Sequence, residues 1–401
     1  MDKIEELLTR GVANIIPNKQ DLEKLLHSGK KLNIYLGIDP TSPHIHLGHA
    51  VLLRKLQKFI DLKQGHSITL LIGDFTALVG DTSDKESERP ILTEEEIEKN
   101  FQTYKKQAEK ILDFTQVKIR HNKEWLEKLI YKELLHLKQQ FSLNDFISRE
   151  LIRKRLDEGK RVRLDETEYP IMQGYDSYFM DTDIQIGGTD QTFNMQAGRT
   201  LQKNLRNKES FVITTEFLMG TDGRKMSKSW GNAIWLDDTP VDMYAKVMAI
   251  EDNLITQYFT LATNISLQEI ENMKKTLEKD GRPMEQKKKL AFQIVSELHD
   301  KNAALKAAEN FKKTVQQKEK PEEMKKIPFP YLSTLGKINI IDLLYEKNIT
   351  PSRAEAKRLI EQKGVKINNV TILYPDEKIE TTKLPIIVQI GKRKFYSIEE
   401  K

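Results

Sequence analysis

The 401-residue chain contains no cysteine. Disulfides, thiolate nucleophiles and Cys-based zinc sites are therefore excluded. It also lacks any apolar run approaching the ~20 residues that a membrane-spanning helix needs. The opening Met1-Asp2-Lys3-Ile4-Glu5-Glu6 is polar and mixed in charge, unlike a secretory leader, so the expected location is cytoplasmic. A strong charge imbalance is missing too: a net charge of +5 permits a nucleic-acid partner without arguing for one. No internal repeat or low-complexity tract is present. What remains is 38% hydrophobic and 31% charged residues, enough for a sizeable core in roughly two or three domains.

The strongest local signal lies between Tyr35 and His49. Leu32, Ile34, Leu36 and Ile38 read as a strand that runs into Asp39-Pro40. Ala50, Val51, Leu52, Leu53, Leu56, Phe59 and Ile60 then recur at helical spacing. Between them, His46 and His49 are three residues apart and share one face of the first helical turn. A strand, a tight turn and a helix N-terminus form an anion site. Two imidazoles placed there can donate hydrogen bonds to a phosphate.

Residues 2–30 are expected to be helical and peripheral. Residues 67–74 form a nearly continuous apolar strand, as for one buried on both faces. Thr93-x-x-Glu96 is a capping box that opens a helix to about Leu112. Strands follow at 117–120, 183–188 and 211–215, with a charged helical segment over 124–163. Strands alternating with helices predict a parallel α/β sheet. Ligands bind such sheets at the carboxyl ends of the strands, which singles out Gly37, Asp39, Asp74, Asp81, Gln185, Asp190 and Gln191. Thr239-Pro240-x-Asp242 and Ser266-x-x-Glu269 open amphipathic helices that continue to about Gln316. The charged, Pro-rich stretch 318–330 reads as a domain boundary. Beyond it, Ser352-x-x-Glu355 caps a helix that stops at Gly364, and strands at 365–367, 386–390 and 394–396 complete a small, mildly basic α+β module.

A second signal follows the fifth strand: Gly223-Arg224-Lys225-Met226-Ser227-Lys228-Ser229. Two lysines in a Gly/Ser-flanked loop make a mobile positive clamp, suited to a polyphosphate whose charge builds in a transition state. Here the chain resembles a known family. His46-Leu47-Gly48-His49 is similar to the HIGH signature of class I aminoacyl-tRNA synthetases, with Leu for Ile. Lys225-Met226-Ser227-Lys228-Ser229 matches their KMSKS signature letter for letter. Nearly the whole chain resembles the bacterial-type tyrosyl-tRNA synthetases. Tyr35-Leu36-Gly37-Ile38-Asp39-Pro40-Thr41 resembles their first strand, and Tyr169-Pro170-Ile171-Met172-Gln173-Gly174-Tyr175-Asp176 their substrate-binding helix. Gln185-Ile186-Gly187-Gly188-Thr189-Asp190-Gln191 resembles their fourth strand and turn. Ser352-Arg353-Ala354-Glu355-Ala356-Lys357-Arg358-Leu359-Ile360 with Gly364-Val365-x-Ile367-Asn368 resembles an S4-type RNA-binding module.

The resemblance implies an α/β fold class: a Rossmann-like parallel-sheet catalytic domain over 1–235, with a helical insert at 124–165 as candidate dimer interface. An all-α domain over 236–320 would contact the anticodon region of tRNA. A linker over 321–337 would lead to an S4-like α+β RNA-binding domain over 338–401. That module would hold the long variable arm of tRNA, with Arg353, Lys357 and Arg358 as its RNA-binding residues. The implied partners are tRNA(Tyr), L-tyrosine, ATP and a second copy of the chain.

The implied site divides by substrate. Tyr35 and Asp176 meet the phenol of tyrosine, Asp81, Tyr169 and Gln173 its ammonium, and Gln191 the tyrosyl part of the adenylate. Tyr169, Gln173 and Asp176 are four and three apart, so one helix face presents all three. A buried carboxylate beside the phenol would be left unpaired by phenylalanine, which is costly. Gly37, Asp39, Gly48, Gly188, Asp190 and Lys228 face ATP and the adenylate. His46, His49 and Thr41 take the phosphates, Lys225 and Lys228 the departing pyrophosphate, and Lys85 and Arg89 add a further basic pair. Mg²⁺ accompanies ATP, and no tightly bound cofactor is expected. A protein-held metal is disfavoured, because His44-x-His46-x-x-His49 has no carboxylate at ligand spacing.

Two positions depart from the family pattern. Thr82 stands where proline is common, and Trp230 replaces a smaller apolar residue, with only loop packing expected to change. Two other readings compete. A tryptophan-specific ligase usually has Gln-Pro-Ser-Gly near Asp39-Pro40-Thr41, Asn at the position of His49, and no S4 module. A synthetase-derived RNA-binding protein without ligase activity is opposed by the intact His46, His49, Lys225 and Lys228.

Overall fold

A computed structural model describes residues 2–81, 92–316, 324–329, 336–381, 384–391 and 394–400. The chain divides into two units, Met1–Ala304 and Leu305–Lys401. In the first, short apolar runs become six strands: β1 (Val12–Ile16), β2 (Asn33–Ile38), β3 (Ser67–Ile72), β4 (Val117–His121), β5 (Ile184–Gly188) and β6 (Phe211–Thr215). They form one sheet in the order β1-β6-β5-β2-β3-β4. Strands β2 to β6 are parallel, and β5 and β6 are buried at every position, as helices on both faces require. The chain leaves β2 towards β3 and β4, then returns to β5 on the other side of β2. The topological switch point therefore lies between β2 and β5, where a ligand crevice opens at the carboxyl ends.

Two expectations are corrected. Residues 2–30 are not wholly helical: helices Lys3–Thr9 and Lys19–His27 flank β1, which pairs antiparallel with β6 at the sheet edge. Five residues carry too little periodicity to separate strand from helix, so the partner strand decides. The charged segment after β4 is helical as expected, in four short helices, Lys123–Leu126, Tyr131–Lys138, Leu143–Ile147 and Glu150–Asp157. Few of its side chains are buried, among them Leu137, Phe146 and Ile152, so no long apolar stripe holds a single axis. The proposed linker contains strand instead: β7 (Lys325–Pro328) is within it, and β8 (Lys337–Asn339) begins at its end.

The cap signals are realised. In the helix Glu94–Ala108, the Glu96 N–H donates to Thr93 Oγ1 at 3.2 Å and the Thr93 N–H to Glu96 Oε2 at 2.9 Å. Thr239 caps the helix Pro240–Met248, and Ser266 with Glu269 boxes the helix Leu267–Asp280. With Ile255–Ala262 and Pro283–Leu298 these helices enclose Met243, Val247, Tyr258, Phe259, Leu290 and Ile294. Among the described residues, no helix is long and apolar enough to cross a membrane.

The second unit adds β9 (Val365–Ile367), β10 (Val370–Thr371), β11 (Lys378–Glu380), β12 (Ile386–Ile390) and β13 (Lys394–Glu399). A five-stranded sheet runs β10-β9-β12-β13-β7, and β11 pairs with β8. Helices Ile340–Glu346 and Arg353–Glu361 share its core, which includes Ile340, Leu343, Ile360, Val365, Val388 and Ile398. Ser352 Oγ accepts the Glu355 N–H at 3.1 Å. The left-handed residue after this helix is Lys363, at φ 56°, and Gly364 follows it in ordinary conformation.

Candidate active site

The turn after β2 leads into the helix Leu47–Asp61, with His46 as its N-cap. His46 Nδ1 accepts the Gly48 N–H at 3.1 Å, and His49 Nδ1 accepts the His46 N–H at 3.2 Å. With Nδ1 used as an acceptor in both rings, each neutral imidazole carries its proton on Nε2. Both residues are half-buried, and desolvation lowers both pKa values. His46 falls to about 2, with His49 and Lys225 contributing after desolvation, and His49 to about 4, with Lys225 contributing. The pair, with ring centroids 4.0 Å apart, is therefore uncharged near neutral pH. Gly48 is required by this packing: a Cβ there would stand 2.9 Å from the His46 ring.

Main-chain pairing joins the two signature motifs across nearly the whole first unit. Leu47 N–H donates to Ile234 O at 2.9 Å, and Leu236 N–H to Ile45 O at 3.0 Å, so the segment beyond the lysine loop zips onto the histidine turn. Lys225 then lies close enough for its charge to act on both histidines. Its Nζ is 3.1 Å from Asp190 Oδ2, after β5, and 4.2 Å from the centre of the Phe217 ring. Lys228 is not brought into this cluster: it is exposed, at the start of the short turn Lys228–Trp230. Thr41 is half-buried, with its N–H on Asp39 O at 2.8 Å, and Gly37 is exposed near the end of β2. Lys85, Arg89 and Thr82 lie outside the described residues.

On the other side of the switch point, the helix Tyr169–Phe179 presents Tyr169 and Asp176 buried and Gln173 half-buried. Asp176 is 3% exposed. Its Oδ1 accepts the Trp125 Nε1–H at 2.7 Å, and its Oδ2 an Asn122 Nδ2–H at 3.1 Å. Burial raises its pKa well above the usual carboxylate range, against the lowering by these two donors. Tyr35, in the same apolar cluster as Trp125 and Tyr169, has its phenol pKa raised by burial and then by Asp176.

The Tyr35 hydroxyl donates to Gln185 Oε1 at 3.1 Å. The Tyr169 hydroxyl donates to Asp39 Oδ2 at 2.8 Å, and Asp39 Oδ1 accepts from Thr76 Oγ1 at 2.9 Å. Asp81 accepts from Gln191 Nε2 at 2.7 Å and Asn194 Nδ2 at 3.2 Å. Gly188 sits against Asp190, where a Cβ would meet its carboxylate at 2.5 Å. Sequence reasoning missed Thr76, Asn122, Trp125 and Asn194 and gave Gln185 no role. Asn122 follows β4, so the strand-end rule applied to β4 finds it. A glutamine between two isoleucines inside β5 is a comparable signal. Nothing local marks Trp125.

The resulting crevice is polarised. One wall carries the carboxylates Asp39, Asp81 and Asp176; the other carries two neutral imidazoles and Lys225, itself paired with Asp190. The first suits an amine with a phenol, the second a chain of phosphates. His44 turns away to Asp237, with Nδ1 2.6 Å from Oδ2. Among the described residues, no cluster of three or more His, Cys, Asp or Glu converges as a metal site. In the second unit, Arg353, Lys357 and Arg358 are exposed and each has an acidic neighbour: Asp342 at 2.9 Å, Glu361 at 3.9 Å and Glu355 at 2.7 Å. Such exposed pairs are weak and exchange readily for other anions.

Residues 27–316 match the family described as class I tRNA synthetases (W and Y), and residues 340–381 match the S4 domain. A tyrosine--tRNA ligase of Carboxydothermus hydrogenoformans is 40% identical over 399 residues, covering 98% of this chain and 97% of the relative. One from Thermotoga maritima is 40% identical over 403 residues, covering 98% and 96%. Among solved structures, a truncated mitochondrial tyrosyl-tRNA synthetase of Aspergillus nidulans superposes with a TM-score of 0.63 at 22% identity, covering 77% of this chain and 92% of that one. The tyrosyl-tRNA synthetase of Archaeoglobus fulgidus, solved with L-tyrosine, gives 0.59 at 24% identity, covering 77% and 100%. These two likenesses concern the fold, and the full-length identities concern the family. The chain belongs to the class I tRNA synthetases of the tryptophan and tyrosine family, with tyrosine--tRNA ligases as its full-length relatives.

Proposed function

We infer that the chain is a tyrosine--tRNA ligase. It activates L-tyrosine with ATP to tyrosyl-adenylate and pyrophosphate, then transfers the tyrosyl group to the 3' end of tRNA(Tyr). The observation that carries this reading is one crevice with a buried carboxylate, Asp176, on one wall and two Nε2-protonated imidazoles with Lys225 on the other. The tyrosine carboxylate, already ionised, attacks the α-phosphorus in line. An O–P bond forms to the carboxylate as the bond to the bridging oxygen of the β-phosphate breaks. No general base is needed, so catalysis is positioning and charge stabilisation. Neutral imidazoles suit this chemistry, because they donate hydrogen bonds without adding charge that a nearby lysine would oppose.

In this reading Tyr35 and Asp176 hold the phenol, while Asp81, Tyr169 and Gln173 take the ammonium. Tyr169 also donates to Asp39. Gly37, Asp39, Gly48, Gly188, Asp190 and Gln191 line the adenylate. His46, His49 and Thr41 meet the phosphates, and Lys225, with Lys228, Lys85 and Arg89, the departing pyrophosphate. Mg²⁺ enters as part of the ATP substrate and supplies charge neutralisation. In the second step a terminal ribose hydroxyl of tRNA attacks the mixed anhydride and releases AMP. The 236–320 helices would face the anticodon region and the 338–401 module the variable arm.

A cytoplasmic homodimer completes the proposal. The insert exposes Ile130, Tyr131, Leu143 and Leu164 by 58%, 71%, 62% and 79%, an apolar concentration typical of an interface. Leu164→Asp should shift the sedimenting species from dimer to monomer; an unchanged dimer would place the interface elsewhere. Amino-acid-dependent pyrophosphate exchange tests the activity itself. Tyrosine should support exchange and tryptophan should not. Binding of tRNA without any tyrosine-dependent exchange would instead favour a non-catalytic RNA-binding protein.

A further inference from the structure

The lysine loop is held from beneath by a side chain that no chemical step requires. Asn232 is 2% exposed. Its Oδ1 accepts the Ser227 N–H at 2.9 Å, and its Nδ2 donates to Lys225 O at 3.2 Å and to Asp222 Oδ1 at 2.7 Å. The amide therefore grips the main chain on both sides of Met226, itself buried at 4%. Its own carbonyl accepts the Thr221 N–H at 3.1 Å, which ties both ends of the loop together. Room for the amide comes from Gly220, where a Cβ would lie 2.3 Å from Asn232 Nδ2.

Asp222 anchors the other end. It accepts from the Arg224 N–H at 3.2 Å and from Arg224 Nε at 2.8 Å as well as from Asn232. The Arg224 guanidinium lies 4.7 Å from the Trp230 ring, so the tryptophan that departs from the family pattern closes a bracket across the loop. The donor and acceptor pattern fits only one amide orientation. An ionised carboxylate and a carbonyl both demand the NH₂ group, while the Ser227 N–H demands the oxygen. Asp222 stays ionised, because the hydrogen bonds from Asn232 and Arg224 hold its pKa down at about 2.

We propose that Asn232 and Asp222 are positioning residues for activation: together they staple the 225–227 main chain so that Lys225 is held beside Asp190 on the phosphate side of the crevice. The proposal rests on the activation chemistry inferred above. It places the staple's effect on the phosphate side of the crevice, away from Tyr35 and Asp176. Asn232→Asp sets a second carboxylate against Asp222 and removes the donor to Lys225 O. A displacement of about 1 Å at a reacting group costs on the order of a hundredfold in rate.

Pyrophosphate exchange, tyrosine binding by equilibrium dialysis, and thermal melting on the full chain make the test. Asn232→Asp should lower the exchange kcat by about tenfold to a hundredfold, with the tyrosine Kd within about twofold of the parent. The double variant Asp222→Asn/Asn232→Asp restores the bond between the two positions with donor and acceptor exchanged, though not the donor to Lys225 O, and should recover about threefold or more of that loss. Exchange unchanged in Asn232→Asp would overturn the proposal. So would a double variant no better than the single one, or a tyrosine affinity that falls as far as kcat does. If the parent protein shows no tyrosine-dependent exchange, it is the functional reading that fails, not the staple.

Discussion

The two walls of the crevice are built differently. For the histidines of the phosphate wall, orientation is local: each ring is set by a backbone N–H two or three residues away. On the amino-acid wall it is long-range. Tyr35 is held by a residue 150 positions away, Tyr169 by one 130 away, Asp81 by one 110 away, and Asp176 by residues 51 and 54 away. A helix N-terminus provides fixed donors wherever it occurs, so a phosphate wall can be encoded in a few consecutive residues. A specificity pocket must leave no buried carboxylate or hydroxyl unpartnered, and partners of the right geometry come only from other strands and helices.

That contrast can be broken most sharply at Lys225. Lys225→Ala removes the cation beside the histidines and should reduce activation by roughly a hundredfold to a thousandfold, the usual cost of one stabilising donor in a transition state. Tyrosine affinity should stay within about twofold, since Lys225 pairs with Asp190 and not with the carboxylate wall. Parallel kcat and Kd measurements check this, and an equal loss of tyrosine binding would show that the walls are not separable.

Asp176→Asn attacks the other wall. Trp125 and Asn122 each donate to Asp176, and an amide can accept from only one of them. One buried donor is left unpaired, which lowers stability, and the substrate phenol loses a charged partner worth about 1.5–3 kcal/mol, so tyrosine should bind roughly tenfold to a hundredfold more weakly. Titration of tyrosine binding reads the effect. Unchanged affinity would remove Asp176 from the recognition of substrate.

The smallest effect is on stability against pH. His46 and His49 have folded pKa values of about 2 and about 4, below the unfolded value of 6.5. Between those limits the unfolded chain binds more protons. Their contribution is therefore complete above about pH 6.5 and is lost progressively as pH falls towards 4. The melting temperature should decline over that window, and His49→Asn, which does not titrate, should decline less steeply. Identical slopes would mean that the rings are not held neutral. Activation measured between pH 7 and 8 should show no histidine titration.

Legibility in the sequence follows the same division. His46, Gly48, His49 and Lys225 were readable because their roles follow from spacing within a turn or a short loop. The central strands were readable because burial on both faces demands continuous apolar runs. The edge strands β1 and β7 were not, since each is four or five residues long and owes its conformation to a neighbour. Asn122, Trp125 and Asn194 were missed because a buried donor beside a carboxylate is defined by its partner. Asn232 was missed for a related reason: its amide lies five residues beyond Ser227, yet it matters only because the loop folds back over it.

The sequence alone determined the elements: which runs become strands and helices, where caps begin them, and which short motifs can meet a phosphate. Those are decided by interactions within a few residues, where chain connectivity already holds the groups together. Only the tertiary structure decided the pairings. It brought Lys225 to His46 through the contact of 234–236 with 45–47, turned Tyr169 to Asp39, and set Trp125 and Asn122 on Asp176. Packing the helices against one parallel sheet converges residues far apart in the chain, and the need to satisfy each buried polar group then selects which of them bond.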